Sequence, residues 1–454
     1  MITGFLSRYY GLNKEELKKF LFLGLIFAFT IGIYWMLRPL KDSLFITLCC
    51  KTKIPYAKWV SLAVVVPLSM IYSAIVDRYP RHRIFYVLCT IYGLLALMFA
   101  YVFAHPVYGL DPVNINNFVE NGKQLSIHTQ LLSRIFGWAW YVYVESFGSL
   151  MVVLFWGFAA DTTKPETAKR GFGLVAMGAQ VGGIFGPWAV TNYVVRVGEA
   201  VLTFCAAIAI FLMGVMIFTF MKTTPKDQLE GYKAKDDGKA KVKTGFMQGA
   251  KLLVSQPYLL GILAIISIFE VINTIFDFKL KMLAGEFYKG TALSEYLSHF
   301  GMWVNIIGLI CLVLGISNIG RKLGVRKSLL MLPSLVCVAV FVIYFNSSLW
   351  IIWGVNAAVK ALNYAFNQPI KEQLYIPTSK DTKYKAKAWT EMFGSRGSKA
   401  LGSGINVWAD AVAPEVFLLI SSIASLGLIA VWVWAAMYVG RKHKEALDSD
   451  SVVC

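Results

Sequence analysis

Residues 20–42 read FLFLGLIFAFTIGIYWMLRPLKD, and from Phe20 to Leu37 there is no Lys, Arg, Asp or Glu. A helix rises about 1.5 Å per residue, so roughly 20 such residues cross the ~30 Å apolar layer of a bilayer. Runs of similar length and apolarity recur at 58–76, 84–104, 136–160, 172–195, 200–221, 257–278, 299–320, 328–346, 349–370, 389–412 and 415–439. With 20–40 they make twelve segments. Of 454 residues, 57% are hydrophobic and 15% charged, with a mean hydropathy of +0.59; a soluble domain carries about 25% charged residues. A soluble globular protein is excluded. The expected fold is an all-α polytopic membrane protein with twelve transmembrane helices.

The net charge of +18 invites three readings: nucleic acid, anionic lipid or an anionic solute. Placement decides between them. With both termini cytoplasmic, 30 of the 44 Lys and Arg lie in inner segments and 10 in outer loops, the asymmetry expected of an integral membrane protein. Most of the charge is therefore topological, and no nucleic-acid partner is expected. The predicted division is a cytoplasmic segment 1–19, a six-helix half 20–221, a linker 222–251, a second half 252–440 and a cytoplasmic tail 441–454, in a bacterial inner membrane. The seven cysteines form no C-x-x-C pair, and no His/Cys/Asp cluster has metal spacing. Gly394-Ser395-Arg396-Gly397-Ser398-Lys399 resembles a phosphate loop but fails its spacing, and there is no G-x-S-x-G elbow. No cofactor, metal or enzymatic activity is expected, so transport would be driven by gradients or exchange.

The linker begins KTTPKDQLEGYKAKDDGKAKVK at Lys222, a solvated spacer between two similar halves. The basic turn Asp77-Arg78-Tyr79-Pro80-Arg81-His82-Arg83 after the second run has its counterpart in Arg321-Lys322-Leu323-Gly324-Val325-Arg326-Lys327 after the eighth, 244 positions on. Phe172-Gly173 through Gly182-Gly183 matches Phe393-Gly394 through Gly402-Ser403-Gly404 at an offset of 221. One duplication accounts for both, and two pseudo-symmetric six-helix halves are the major facilitator-like arrangement. Asp77, Arg78, Arg81 and Arg321 are expected to tie helix ends and gate. Gly178 and Gly182, spaced by four with Gly186, are expected to let helices approach closely.

Ionisable side chains inside spans are costly and persist where they meet a partner or a wet cavity. They occur as Arg38, Lys41 and Asp42 at the end of the first run, Glu145 in the fourth, and Glu270, Asp277, Lys279 and Lys281 along the seventh. Lys360, Lys371 and Glu372 stand in or after the tenth, and Glu391, Arg396 and Lys399 in the eleventh. Lys41, Glu145, Glu270 and Lys371 belong to runs one, four, seven and ten, the first helix of each three-helix repeat, which line the central path of a facilitator fold. A cavity rich in fixed cations suits a polyanion such as a phosphate ester. Tyr34, Trp35, Tyr141, Tyr143 and Trp303 offer faces on which a base could stack.

These residues fall in strings that resemble a known family. Arg38-Pro39-Leu40-Lys41-Asp42-Ser43, Glu145-Ser146-Phe147-Gly148-Ser149, Phe155-Trp156-Gly157-Phe158-Ala159 with Ala168-Lys169-Arg170, Lys371-Glu372 followed by Tyr375-Ile376-Pro377, and Gly394-Ser395-Arg396 resemble the non-mitochondrial ATP/ADP translocases of obligate intracellular bacteria and plastids. The resemblance implies exchange of nucleotides across the membrane, typically ATP for ADP plus phosphate; some members take up nucleotides with protons. It assigns the functional charges to Lys41, Glu145, Glu270 and Lys371. In the seventh run the family's Val-Glu-Val-Thr-Trp-Lys stands against Phe269-Glu270-Val271-Ile272-Asn273-Thr274, and a second register anchored on Lys279-Leu280-Lys281 brings Asn273 to the glutamate position. The leading expectation is a nucleotide exchanger. In it Arg38, Lys41, Lys371, Arg396 and Lys399 hold phosphates, and Glu145 and Glu270 pair with the lysines when the site is empty. Proton-coupled transport of nucleotides or another organic anion, and a non-transporting scaffold or receptor, are the alternatives.

Overall fold

A computed structural model of the chain describes residues 12–76, 78–105, 127–229, 246–314, 323–375, 377–378, 387–390 and 394–449. Among these residues there is no strand. The main helices are α1 Lys14–Cys49, α2 Ile54–Val76, α3 Arg81–Ala104, α4 Ile127–Asp161, α5 Pro165–Thr223, α6 Phe246–Ser255 and α7 Pro257–Phe287. They continue with α8 Gly290–Val313, α9 Val325–Phe345, α10 Leu349–Leu362, α11 Gln368–Leu374, α12 Ser395–Asn406 and α13 Pro414–Asp448. Among the described residues eight helices are long and apolar enough to cross a membrane by length and composition, and the chain is an integral multi-pass membrane protein. One of the eight, α5, is two limbs broken at Gly198, whose φ of 81° lies in the left-handed region that glycine enters at little cost.

The described residues belong to two compact units that interleave in sequence. One takes Met1–Lys51, Ala63–Asp237 and Gly285–Met302, the other Thr52–Leu62, Gly238–Ala284 and Trp303–Cys454. In the first unit α1 starts at a capping box: the Asn13 side chain accepts from the Glu16 amide at 2.7 Å, and Glu16 returns the bond to the Asn13 amide at 2.9 Å. Along α1 the small residues Gly24, Ala28 and Gly32 meet Gly178, Gly182 and Gly186 of α5 so closely that a Cβ on any of these three would collide with backbone carbonyls of α1. The close approach lets the helices pack by dispersion, the main attraction available where lipid tails are as apolar as the protein. Phe27 stacks on Phe155 of α4 with ring centres 4.3 Å apart, and Trp140 packs among Phe99, Phe103 and Tyr143. Tyr143 is thus a core residue, 4% exposed, with its hydroxyl bonded to the Tyr92 carbonyl. On the outer side of α3, Val87, Ile91, Leu94 and Met98 are exposed at helical spacing, an apolar stripe of the kind that faces hydrocarbon.

In the second unit α7 is the most enclosed of the eight, with 67% of its most apolar window buried. Phe269 and Phe278 pack edge-on against Trp432 and Phe417 of α13. Gly402 of α12 sits against the Val271 carbonyl, and Asn406 donates to the Thr274 carbonyl at 3.3 Å.

Helix ends depart from the expected ones at the charged residues. Leu40 is not the end of the first helix: α1 runs nine residues further, to Cys49, and α7 runs to Phe287 rather than 278. Loss of apolarity marks where lipid contact stops, whereas a helix continues wherever its charges find partners within the protein. The tenth run is divided: after Leu362 the chain makes a π-turn over Asn363–Asn367, in which the Gln368 amide reaches the Asn363 carbonyl, before α11 carries Pro369 in its first turn. Proline has no amide hydrogen and disfavours a continuous helix through that point.

Candidate functional site

The first unit brings together two faces. On α1, Tyr34, Arg38 and Lys41 follow helical spacing; on α4, Tyr141, Glu145 and Gly148 do the same. Lys41 is 3% exposed, and its ammonium donates to Glu145 Oε1, lies 3.5 Å from Asp42 Oδ1 and sits 4.2 Å from the centre of the Tyr141 ring. Gly148 leaves room for Tyr34, since any Cβ there would strike its ring. The Arg38 guanidinium lies 4.7 Å from the Trp35 ring centre. Lys41, Glu145, Tyr141 and Tyr34 therefore form one constellation in which the lysine covers the tyrosine face that the sequence offers to a base.

The other predicted residues lie in several places. Glu270 of α7 is 3.7 Å from Lys399 of α12, whose side chain is half exposed. Lys371 stands on α11 and Arg396 on α12, both partly buried. Arg81, at the start of α3, pairs with Asp161 at the end of α4, tying two helix ends; Arg78 is exposed in the preceding turn. Gly178 and Gly182 lie at the α1–α5 contact described above. Asp77, Arg321 and Glu391 lie outside the described residues.

Two buried groupings were not among the predicted site residues. Asp277 and Lys281 of α7 meet Lys360 of α10, all at most 8% exposed. Their signal was present as charges within apolar runs and the four-residue spacing of Asp277 and Lys281, but nothing in the chain order linked them to Lys360. Glu199, 3% exposed, begins the second limb of α5 and accepts from Ser294 at 2.7 Å and Ser43 at 3.5 Å. In sequence it looks like part of an outer loop. Among the described residues no group of three or more His, Cys, Asp or Glu side chains could hold a metal ion.

The fold is similar to that of solved membrane transporters. The crystal structure of the nucleoside transporter NupG matches at a TM-score of 0.62 and 13% identity, over 93% of this chain and 99% of that one. A bacterial homologue of the iron transporter ferroportin in an inward-facing state also matches at 0.62, with 12% identity over 92% and 98%. Residues 1–353 match the model of the TLC ATP/ADP transporter family, and the chain belongs to that family. ADP,ATP carrier protein 4 of Rickettsia bellii is 24% identical over 493 residues, spanning 98% of this chain and 94% of the relative. ADP,ATP carrier protein 1 of Chlamydia muridarum is 25% identical over 478 residues, spanning 95% and 89%.

Proposed function

We propose that this protein exchanges nucleotides, ATP for ADP, across a bacterial inner membrane by alternating access, with twelve crossings and both termini in the cytoplasm. The observation that carries the reading is the buried Lys41–Glu145 pair. A lysine and a carboxylate taken out of water lose most of their hydration, and their mutual attraction only offsets that cost. A ligand bearing several phosphate charges offers the ammonium a stronger partner and releases Glu145 toward water, where its side chain is already 29% exposed. Binding then favours whichever conformation lets the phosphates displace the carboxylate, which is how a substrate shifts a population. Within the first unit Arg38 would extend the cationic contacts and Tyr34 would supply a face for the base; within the second, Lys371, Arg396 and Lys399 would offer phosphate contacts of their own, with Glu270 pairing with Lys399 between cycles. Membership of the TLC family and the ADP,ATP carrier relatives support nucleotide as the cargo.

The test is uptake of labelled ATP by purified protein in liposomes. Vesicles preloaded with ADP should accumulate label and empty vesicles should not, while a proton uncoupler should leave the rate unchanged. Equal uptake into empty vesicles, or collapse with the uncoupler, would reject exchange in favour of proton coupling.

A further inference from the structure

A second cationic cluster lies wholly within the second unit. Lys360 of α10 donates to Asp277 Oδ1 at 2.5 Å, and Lys281 of α7 lies 2.7 Å from Asp277 Oδ2, so each carboxylate oxygen is bonded to a different lysine. The three are 5%, 6% and 8% exposed in the order Lys360, Lys281, Asp277. One turn before Lys360 on the same helix, Asn356 is fully buried, and neither its amide nitrogen nor its oxygen has a hydrogen-bond partner. One turn before Asp277, the Asn273 side-chain oxygen is in the same condition. Buried amides without partners are costly, and a ligand that pairs with them removes the cost. The π-turn Asn363–Asn367 begins three residues after Lys360, and such turns recur at functional sites.

The internal repeat does not put this cluster at equivalent positions: offsets of 244 and 221 carry Lys41 to 285 and Glu145 to 366, four and six positions beyond Lys281 and Lys360. What recurs is the kind of contact, a buried lysine–carboxylate pairing between helices of the first and fourth runs in one half and between α7 and α10 in the other. We propose that Lys281 and Lys360 form a phosphate-binding site, in which phosphoryl oxygens replace Asp277 as the lysines' partner and the Asn356 amide donates a further bond. The idea rests on the nucleotide reading, but the ligand chemistry it needs is only a phosphoryl group, carried by a nucleotide or by free inorganic phosphate.

The experiment is equilibrium binding of ATP, ADP, AMP and inorganic phosphate to full-length purified protein, with thermal stability measured alongside. Lys360→Gln should weaken the tightest of these ligands by about tenfold or more, Lys360→Arg should restore most of the loss, and Asp277→Asn should tighten binding because the competing carboxylate is gone. Loss confined to ATP and ADP assigns the site to nucleotide phosphates; loss of inorganic phosphate binding assigns it to the free anion. Either supports the site, and the second does so even if ATP uptake proves absent and the exchange reading falls. Should Lys360→Gln prove unstable, Lys281→Gln and Asp277→Asn give the same comparison. Unchanged affinity for every ligand in folded variants, or weakening by Asp277→Asn to the same degree as by the lysine variants, would overturn the proposal and leave a structural ion pair.

Discussion

Lys41 is held by three groups of different kinds: Glu145 by charge and hydrogen bond, Asp42 by charge, and Tyr141 by its ring face. Truncating it removes the proposed phosphate contact, so Lys41→Ala is expected to lower exchange about 100-fold in the liposome assay, a loss of roughly two charge-assisted contacts. Glu145→Gln acts differently, because it leaves an ammonium in a dry place with a weaker partner. It should lower thermal stability in detergent by about 2 kcal/mol, below the ~3–5 kcal/mol of a fully buried pair because the glutamate is partly exposed. ADP should recover part of that stability, as any ligand that binds only the folded state does. Both charges were legible in the sequence, since a lysine or glutamate in an apolar run needs a reason to be there. Their union was not: the pair spans 104 positions, and its geometry depends on which faces of α1 and α4 meet.

Among the helices, the α1–α5 contact sets the tightest tolerance. Gly182→Ala would push a methyl group into the Ala28 carbonyl, a backbone atom that cannot rotate away, and is expected to cost about 2 kcal/mol or more. Gly354→Ala in α10 meets nothing within 4 Å, so it should be neutral or stabilising by about 0.5 kcal/mol through reduced backbone freedom. Thermal unfolding of the two variants side by side separates packing from propensity, and equal effects would contradict the packing account. The four-residue glycine spacing marks one face of α5 as smooth, but nothing in the sequence names α1 as the helix it meets. The ends of α1 and α7, by contrast, were placed too early, because hydropathy measures contact with lipid and both helices continue where their polar side chains are enclosed by protein. A gap of four residues separates the apolar runs 172–195 and 200–221, and the positive φ at Gly198 is what makes so short a gap possible.

For the whole chain, the distribution of Lys and Arg gives a topology that labelling can check. After replacement of the native cysteines, single cysteines placed within 230–245 should react with a membrane-impermeant maleimide only once cells are opened, and those within 106–126 should react in intact cells. The reverse pattern would invert the proposed orientation. Run length and composition by themselves dictate a bundle of membrane helices, because a backbone in hydrocarbon must satisfy its hydrogen bonds internally and about 20 apolar residues are what a crossing takes. The family was likewise readable in one dimension, from motifs that keep their order. Pairings across elements were not. Glu199 with Ser294 and Lys360 with Asp277 lie 95 and 83 positions apart, and only the folded arrangement selects each partner, because burying a charge is tolerable only beside the group that compensates it.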